Sequence, residues 1–425
     1  MKKFLLVALL VLQIVANAQV ITTVSNPAQA GFSAERLQTL DKTMQSWVKQ
    51  GWMQGGVALA IRNGKIGYYN AVGFDDLETG TPMKRNGIFR IASQSKTITS
   101  VAIMILFEEG KLLLDDPVSK YIPAFKGQKV LDKFNAADTT YTTVPAKQDI
   151  TIRQLLTHTS GLGYAQIGSK ESNAIYAKAN LTAGIGVMGD NLLAAMNRLA
   201  ALPLMHQPGE KWTYGLNTDL LGCLVEVISG ETLDSFFRKR IFEPLGMNDT
   251  YFDIPSEKAN RLVNLYKEES DGRLVKSTGQ ILNGKQITPD YPIQHSTYYS
   301  GGAGLSSTIY DYAVFLQMLA NNGAYNGKRI LSRNSVRMMT MNQIGDLFVS
   351  GSDKFGLGFQ VVTERGSART PSNPGTFSWG GAFATSYWVD PKEKMVFLFF
   401  RQLQSSTKGE VVEKFRAMLY AALND

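Results

Sequence analysis

Cysteine and histidine are both scarce in this sequence. The 425 residues include one cysteine, Cys223, and three histidines, His158, His206 and His295. A single cysteine excludes an internal disulfide bond. No two histidines have the spacing of metal ligands, and the motif His-Glu-x-x-His is absent. We therefore expect no metal site and no cofactor, and a fold held together by its core alone.

The sequence also lacks a dense block of basic residues. It contains 44 Lys and Arg against 36 Asp and Glu, which gives a formal net charge of +8. Nucleic-acid binding needs positive charge clustered on one surface, whereas these charges are spread along the chain. We interpret the excess as serving solubility and expect no nucleic-acid partner.

No apolar run in the sequence is long enough to cross a bilayer as a helix. The run at the start, Phe4 to Ala16, follows Met1–Lys2–Lys3 and ends in Ala16–Asn17–Ala18. A basic start, a short apolar core and an A-x-A ending are typical of a secretory signal. We expect residues 1–18 to be a signal peptide and the mature protein to be exported, periplasmic or secreted, without stable membrane insertion. The alternative is an N-terminal membrane anchor.

Strand-like segments lie near both ends of the mature chain, and helical patterns fill its middle. The runs Gly56–Arg62 and Lys65–Gly73 flank Asn63–Gly64, a strong hairpin signal because both central residues of a type I′ turn need positive φ. The simplest packing is an α/β (α+β) fold with a sheet built from both chain ends. We assign residues 19–95 and 300–425 to a sheet domain and residues 96–299 to a mainly helical domain, with a catalytic cleft between them.

The sequence also predicts the local structure of several segments. Residues 126–150, 163–189 and 265–297 have the composition of loops, and the last two are placed to cover a cleft. The apolar spacing also predicts a helix over Leu233–Ile241 and strands over Phe355–Val362 and Ala382–Val389.

The chemistry is expected to centre on Ser93 and Lys96. Residues three apart on a helix share a face, so a lysine there can accept the proton of the serine hydroxyl. The serine N–H would lie at a helix start, unpaired and close to the positive end of the dipole. Ser-x-x-Lys occurs three times in the chain, and this copy alone directly precedes a long apolar run. The alternative is a polar first turn on a core helix.

Two further segments can complete such a site. Tyr214 directly precedes a helix, and an ammonium group nearby would favour its phenolate, which could act as a base toward Ser93. Gly380–Gly381 allow a close backbone approach, so the N–H of Ala382 could pair with the N–H of Ser93 as an oxyanion hole. The alternatives are a half-buried tyrosine and a plain β-bulge.

A Ser-His-Asp site is the competing interpretation. The sequence contains no Gly-x-Ser-x-Gly elbow. His158, in His–Thr–Ser–Gly, has the chemistry of a base, but we expect it to hold a loop by hydrogen bonding.

Taken together, the motifs resemble the serine β-lactamase and penicillin-binding protein superfamily across nearly the whole mature chain. The segments that carry the resemblance are Ser93–Gln94–Ser95–Lys96, Leu155 to Leu162, Gln207–Pro208–Gly209, Tyr214, Phe242 to Met247, Gly301 to Leu305 and Trp379–Gly380–Gly381. The resemblance implies a mainly antiparallel sheet flanked by helices, with an all-helical region beside it. It also implies that Ser93 is acylated and that Lys96 and Tyr214 share proton transfer; which of the two takes the serine proton stays open.

Two departures from that superfamily narrow the activity. Class C β-lactamases and D-peptidases carry Tyr-x-Asn, whereas here Leu216 holds the Asn place and Asn217 comes one residue late. They also carry Lys-Thr-Gly or His-x-Gly where this chain has Trp379–Gly380–Gly381. An indole offers one neutral donor, so it is a poor partner for a substrate carboxylate.

Tyr-x-x-x-x-Asp-x-Leu-Gly, formed by Tyr214 to Gly222, together with Trp-Gly-Gly resembles the family VIII carboxylesterases. We therefore expect an exported serine hydrolase, a carboxylesterase on small esters, with Trp379, Gly380, Gly381 and Leu216 at the substrate. The alternatives are a β-lactamase or D-amino-acid peptidase acting on lactams or peptides, and a non-catalytic penicillin-binding relative. The natural substrate and the oligomeric state stay open at this point.

Overall fold

The computed structural model describes residues 20–181, 184–282 and 285–424. The predicted signal peptide, residues 1–18, lies outside the described residues. Among the residues described, no helix combines the length and the apolar character needed to cross a membrane.

Helices and short strands alternate along the described chain. The α-helices are α1 Ala34–Lys49, α2 Ser95–Glu108, α3 Ile152–Leu156, α4 Lys170–Lys178, α5 Leu192–Ala200, α6 Asn217–Ser229, α7 Leu233–Phe237, α8 Glu243–Leu245, α9 Ile309–Ala320, α10 Arg333–Met339, α11 Glu364–Ser367 and α12 Glu410–Ala421. The 3₁₀ turns are Pro27–Ala30, Ala92–Gln94, Val118–Lys120, Pro123–Phe125, Ser256–Arg261 and Tyr291–Ile293, and a π-helical turn spans Arg238–Phe242.

The strands are β1 Thr22–Thr23, β2 Gly55–Arg62, β3 Lys65–Asp76, β4 Thr81–Pro82, β5 Phe89–Arg90, β6 Lys129–Asn135, β7 Thr140–Pro145, β8 Thr250–Tyr251, β9 Tyr266–Glu268, β10 Leu274–Lys276, β11 Gln280–Leu282, β12 Lys285–Ile287, β13 Ser306–Ser307, β14 Ala324–Tyr325, β15 Lys328–Arg329, β16 Lys354–Phe355, β17 Gln360–Val361, β18 Phe377–Gly381, β19 Thr385–Asp390, β20 Met395–Phe400 and β21 Leu403–Gln404.

The largest sheet within the described ranges joins the two ends of the chain. Its nine strands run β1-β3-β2-β20-β19-β18-β17-β16, with β4 paired to β3. All its neighbours are antiparallel except β1 and β3. Val57 of β2 pairs with Phe400 of β20, so an N-terminal strand and a C-terminal strand lie side by side at the centre. The α+β fold class is confirmed, while the division into two domains stays a prediction.

The side chains of the central strands point alternately into two hydrophobic cores. Val57, Leu59 and Leu398 face the larger core, where α2 and α9 pack, whereas Ala58 and Phe397 face the smaller one, which also holds the apolar side chains of α1 and α12. Because both faces are covered, β2 and β20 are buried along their whole length. This double burial makes the sheet a rigid support for the segments at its edge.

Helix α2 is buried over all but its last two residues. Every residue from Ser95 to Leu106 is buried, polar ones included. A helix that is buried all round is typical of the centre of a large domain, and here it packs against α6 and the larger core. The lysine in its first turn is therefore withdrawn from water.

Several local expectations need correction. Residues 126–150 are not a plain loop, because β6 and β7 pair as a hairpin there. Residues 163–189 include α4, which Ser169 caps, and residues 265–297 include β9 to β12. Strands β9 to β12 have three residues each, which is too short for an apolar alternation to be recognised in the sequence.

Three predicted elements also have different bounds. The helix over Leu233–Ile241 changes to π geometry after Phe237. The strand over Phe355–Val362 divides into β16 and β17 because Gly358 adopts a φ of +97°. The strand predicted from Ala382 starts at Thr385, because Ala384 adopts a φ of +64° in the turn that follows β18.

Candidate active site

Ser93 lies on the 3₁₀ turn Ala92–Gln94, which leads directly into α2. Ala92 has a φ of +42°, and a non-glycine residue in such a sparsely populated region costs on the order of 1–3 kcal/mol. The surrounding contacts hold the turn: Ile91 N–H donates to the Leu305 carbonyl over 3.1 Å, and the Tyr312 hydroxyl donates to the Gln94 carbonyl over 2.8 Å. Ser93 itself is half-buried, so a substrate can reach it.

Lys96 supplies the amine that the three-residue spacing predicts. Its Nζ donates to Ser93 Oγ over 3.3 Å and to the Gly302 carbonyl over 2.7 Å. The side chain is 2% exposed, so these contacts and the neighbouring rings are its environment. The serine hydroxyl and the lysine amine therefore meet in a nearly dry crevice.

Two phenols lie close to that amine. Lys96 Nζ is 4.7 Å from the ring centroid of Tyr214 and 5.7 Å from that of Tyr164. Burial alone would lower the pKa of Lys96, but the two phenols outweigh burial and raise it above its usual value. The two phenols therefore favour the charged form of Lys96.

Tyr164 is a member of this cluster that the sequence reasoning missed. Its ring is 5.4 Å from that of Tyr214, and burial raises the pKa of its phenol. The available signal was its position, two residues after the His158–Leu162 segment already singled out. Nothing local shows that this segment folds back over Lys96.

Aromatic rings surround Tyr214. Its ring centroid is 4.9 Å from His158, 5.7 Å from Trp379 and 5.9 Å from Trp212, which is stacked on it. Phe355 closes the cluster by contacting both tryptophans. Such packing fixes the orientation of the Tyr214 ring, which is half-buried.

His158 holds this arrangement together as a neutral side chain. Its Nδ1 accepts a hydrogen bond from Asn217 Nδ2 over 3.0 Å, and its carbonyl accepts from the Thr213 N–H over 2.8 Å. Burial, assisted by the charge of Lys96, keeps the pKa of His158 well below the ordinary 6.5. The ring therefore positions the segment that carries Tyr214, in line with the expectation of a loop held by hydrogen bonding.

The displaced Asn217 turns away from the reacting groups. Its side chain is completely buried and bonds His158 and the Ser160 hydroxyl. Leu216, at the place where class C enzymes carry asparagine, is also 0% exposed and belongs to the larger core. Leu216 is therefore not at the substrate as the sequence predicts, because a side chain without exposed surface has no contact to offer.

Strand β18 brings its end against the turn that carries Ser93. A Cβ added to Gly381 would lie 2.4 Å from the Ile91 carbonyl oxygen and 2.3 Å from Thr385 Oγ1, so only glycine allows this approach. Ala382, the next residue, is exposed. The pairing of its N–H with that of Ser93 as an oxyanion hole stays a prediction.

One carboxylate lies behind the lysine. Asp219 is 0% exposed and accepts a hydrogen bond from Ser300 Oγ over 2.6 Å. A Cβ on Gly302 would lie 2.4 Å from Asp219 Oδ2 and 3.6 Å from Lys96 Nζ, so this glycine separates the two charges. Burial raises the pKa of Asp219, and Ser300 and Lys96 oppose that shift.

No group of three or more His, Cys, Asp or Glu side chains in the described ranges is arranged to hold a metal ion. The groups that the site brings together are the Ser93 hydroxyl, the Lys96 amine and the phenols of Tyr164 and Tyr214.

This fold and this cluster define a serine hydrolase of the β-lactamase type, and the chain belongs to the Beta-lactamase family, whose model matches residues 40–422. An uncharacterized protein of Mycobacterium tuberculosis is 35% identical over 364 residues, 83% of this chain and 86% of the relative. Esterase EstB of Burkholderia gladioli is 30% identical over 391 residues, 90% of this chain and 94% of the relative. The solved structure of EstCE1, a hydrolase with promiscuous acyltransferase activity, has a TM-score of 0.77 at 27% identity, over 93% of this chain and 99% of that chain.

Proposed function

We propose that this protein is an exported serine carboxylesterase that hydrolyses small esters through an acyl-enzyme on Ser93. The observation that carries the proposal is the contact of the Ser93 hydroxyl with Lys96, 3.3 Å away, beside the ring of Tyr214. Export rests on the composition of residues 1–18.

The acylation step begins with the hydroxyl of Ser93 attacking the ester carbonyl carbon. An ammonium ion has no free electron pair, so the raised pKa of Lys96 favours Tyr214, as a phenolate, as the acceptor of the serine proton. The positive charge of Lys96 supports that phenolate at short range. The N–H groups of Ser93 and Ala382 are proposed to bind the oxyanion, an effect worth roughly 3–4 kcal/mol per donor.

Collapse of the tetrahedral intermediate completes the acyl-enzyme. The bond to the alcohol oxygen breaks, and that oxygen takes the proton held by Tyr214. Water then enters, gives its proton to Tyr214 and attacks the acyl carbonyl. The serine oxygen leaves with that proton, so the enzyme returns to its starting state.

Trp379 supports esters over substrates that carry a carboxylate. It is half-buried against Tyr214 and Phe355, and its indole carries no positive charge. A β-lactam or a D-alanyl peptide would bring a carboxylate to this place without a cationic partner, which is costly. Neutral esters avoid that cost.

The test is the turnover of p-nitrophenyl butyrate by the purified protein and by Ser93→Ala. The proposal expects hydrolysis by the wild type alone, and equal rates in the two would refute it. Faster turnover of nitrocefin or of D-alanyl peptides than of short esters would instead favour a β-lactamase or D-peptidase. Failure of Ser93 to gain a fluorophosphonate adduct, read by intact mass, would favour a non-catalytic relative.

A second candidate reaction is acyl transfer to an alcohol in place of water. It is favoured by the similarity to EstCE1, a hydrolase with promiscuous acyltransferase activity. Adding an acceptor alcohol to the ester assay and measuring the new ester by mass spectrometry separates the two. If only the free acid forms at every alcohol concentration, transfer is not an activity of this protein.

A further inference from the structure

A cavity of about 780 Å³ opens beside Tyr214. It lies between the β6–β7 hairpin, the segment from Gly163 to Ser172 and the segment from Met205 to Tyr214. This volume falls in the range of pockets that hold drug-sized molecules. A group much larger than the acyl part of a short ester therefore fits next to the proposed catalytic centre.

The lining of this cavity indicates which part of an ester would occupy it. Among the described residues that form its wall, Tyr214 is present, whereas Ser93 and Ala382 are not. In the proposed reaction the carbonyl carbon is at Ser93, and the leaving oxygen must come within hydrogen-bond reach of the acid that protonates it. The acyl part thus belongs at Ser93 and the alcohol part on the side of Tyr214.

The wall is chemically mixed, and it includes a lysine, Lys211. Phe134, Ile167 and Trp212 offer apolar and ring surface, whereas Asp132 and Glu171 add carboxylates. Asp132 is held by the Thr142 hydroxyl over 3.0 Å, and hydrogen bonds at the start of α4 keep the pKa of Glu171 below its usual value. Both carboxylates are therefore acceptors, which suit hydroxyl or amine donors on an otherwise apolar group.

We propose that this cavity is the subsite for the alcohol part of the substrate, and that it selects bulky ring alcohols carrying at least one further hydrogen-bond donor. The inference rests on the proposed esterase function for the role of Tyr214. It adds the substrate class, and it assigns the β6–β7 hairpin as one wall of the subsite.

The experiment fills the cavity and varies the two halves of the ester separately. Ile167→Trp places a large ring on an exposed part of the wall, and Met205→Trp does so from a half-buried position. Leu113→Trp is the matched control, because Leu113 is 61% exposed and does not line the cavity. The substrates are phenyl acetate and 2-naphthyl acetate for the alcohol side, and phenyl butyrate for the acyl side.

The expected result is a loss that depends on the alcohol. Both filling variants should lower kcat/KM for 2-naphthyl acetate by about tenfold relative to phenyl acetate, as expected for a changed apolar pocket. The ratio of phenyl butyrate to phenyl acetate should stay at the wild-type value, and Leu113→Trp should change neither ratio. A loss that follows the acyl chain, or no loss in either filling variant, overturns the inference.

The carboxylates are tested with one added hydroxyl group. Wild-type protein should prefer 6-hydroxy-2-naphthyl acetate over 2-naphthyl acetate, and the double variant Asp132→Ala/Glu171→Ala should lose that preference, measured as the ratio of kcat/KM for the two esters within each protein. An unchanged preference overturns the assignment of these two carboxylates.

A binding measurement, in which 2-naphthol is titrated into the Ser93→Ala variant, tests the subsite independently of the proposed esterase function. The inference expects saturable binding that Ile167→Trp weakens and Leu113→Trp leaves unchanged. If Ser93→Ala and wild type turn over esters equally but this binding is seen, the esterase function fails and the cavity remains a binding site. If 2-naphthol does not bind while the wild type hydrolyses esters, the esterase function is supported and the assignment of the subsite is overturned.

Discussion

The two sides of Tyr214 differ in how they are built. On one side lie Lys96, Tyr164 and His158, all buried and all in contact with the Tyr214 ring. On the other lies the cavity of about 780 Å³, whose wall comes from a hairpin and loops and includes carboxylates. The inner side rests on the doubly buried sheet and on α2, so its geometry is held by the core. The outer side depends on surface segments, which change readily without disturbing a core.

The difference suggests that the two sides of Tyr214 have separate roles, one in proton transfer and the other in substrate selection. Groups that must keep a proton-transfer geometry need a support that does not move. Groups that choose a substrate can lie on segments attached to that support. Substitutions on the inner side should therefore change kcat, and those on the outer side should change the ranking of substrates.

The largest effect is expected from Lys96→Met. This change keeps the side-chain volume but removes the amine that bonds Ser93 and the Gly302 carbonyl. We expect kcat/KM on p-nitrophenyl butyrate to fall by about 1,000-fold, a loss of the size seen when a general base stops working, because Tyr214 loses the positive charge that supports its phenolate. Lys49→Ala is the control, because Lys49 belongs to another Ser-x-x-Lys copy and is exposed on α1. Similar rates in the two variants would remove Lys96 from the mechanism.

A smaller but still large loss is expected from Gly381→Ala. Its Cβ would overlap the Ile91 carbonyl at 2.4 Å, so β18 must move away from the turn that carries Ser93. We expect kcat to fall by roughly 100-fold through a displaced Ala382 N–H. The folded fraction is checked by thermal unfolding.

Gly409→Ala is the matched control for this change, because Gly409 has open space around its Cα and an ordinary negative φ. If Gly381→Ala keeps full activity, Ala382 does not contribute to an oxyanion hole.

Asp219→Asn tests whether the carboxylate behind Lys96 stabilises its charge. Removing that negative charge should lower the pKa of Lys96, so the alkaline limb of the pH–rate profile should move to lower pH. We expect a loss of about tenfold in kcat with little change in KM. Glu226→Gln, which alters another partly buried carboxylate of the same helix, should leave the profile in place. An unmoved alkaline limb in Asp219→Asn would limit this carboxylate to a structural role.

More of the residues on the buried, inner side of Tyr214 could be predicted from the sequence than of those on its outer side, next to the cavity. Ser93 and Lys96 lie on one turn, so a spacing of three residues was enough to pair them. The contacts of Tyr164 and Asp219 with that pair depend on chain segments packed from far along the sequence. The residues of β6 and β7 are largely polar or exposed on both faces of the hairpin, so the sequence shows no apolar alternation there. For this reason the part of the cavity wall that the hairpin forms could not be predicted.

The smallest expected effect concerns stability rather than catalysis. His158 is buried and neutral, with a pKa well below 6.5, whereas in the unfolded chain it titrates near 6.5. The unfolded state therefore binds more protons below that pH, so stability is complete above 6.5 and is lost as the pH falls. The loss is at most about 1.4 kcal/mol per pH unit for one group.

His158→Asn separates this contribution from the rest of the acid sensitivity. Asparagine tolerates the φ of +56° at this position and does not titrate. Chemical denaturation at pH 7.5 and pH 5.5 should show a smaller loss of unfolding free energy in the variant than in wild type. Burial also lowers the pKa of His206, so part of the dependence should remain in His158→Asn. An identical loss in both proteins would mean that His158 takes up a proton in the folded state, and the neutral ring beside Lys96 would then be the wrong description of the inner side.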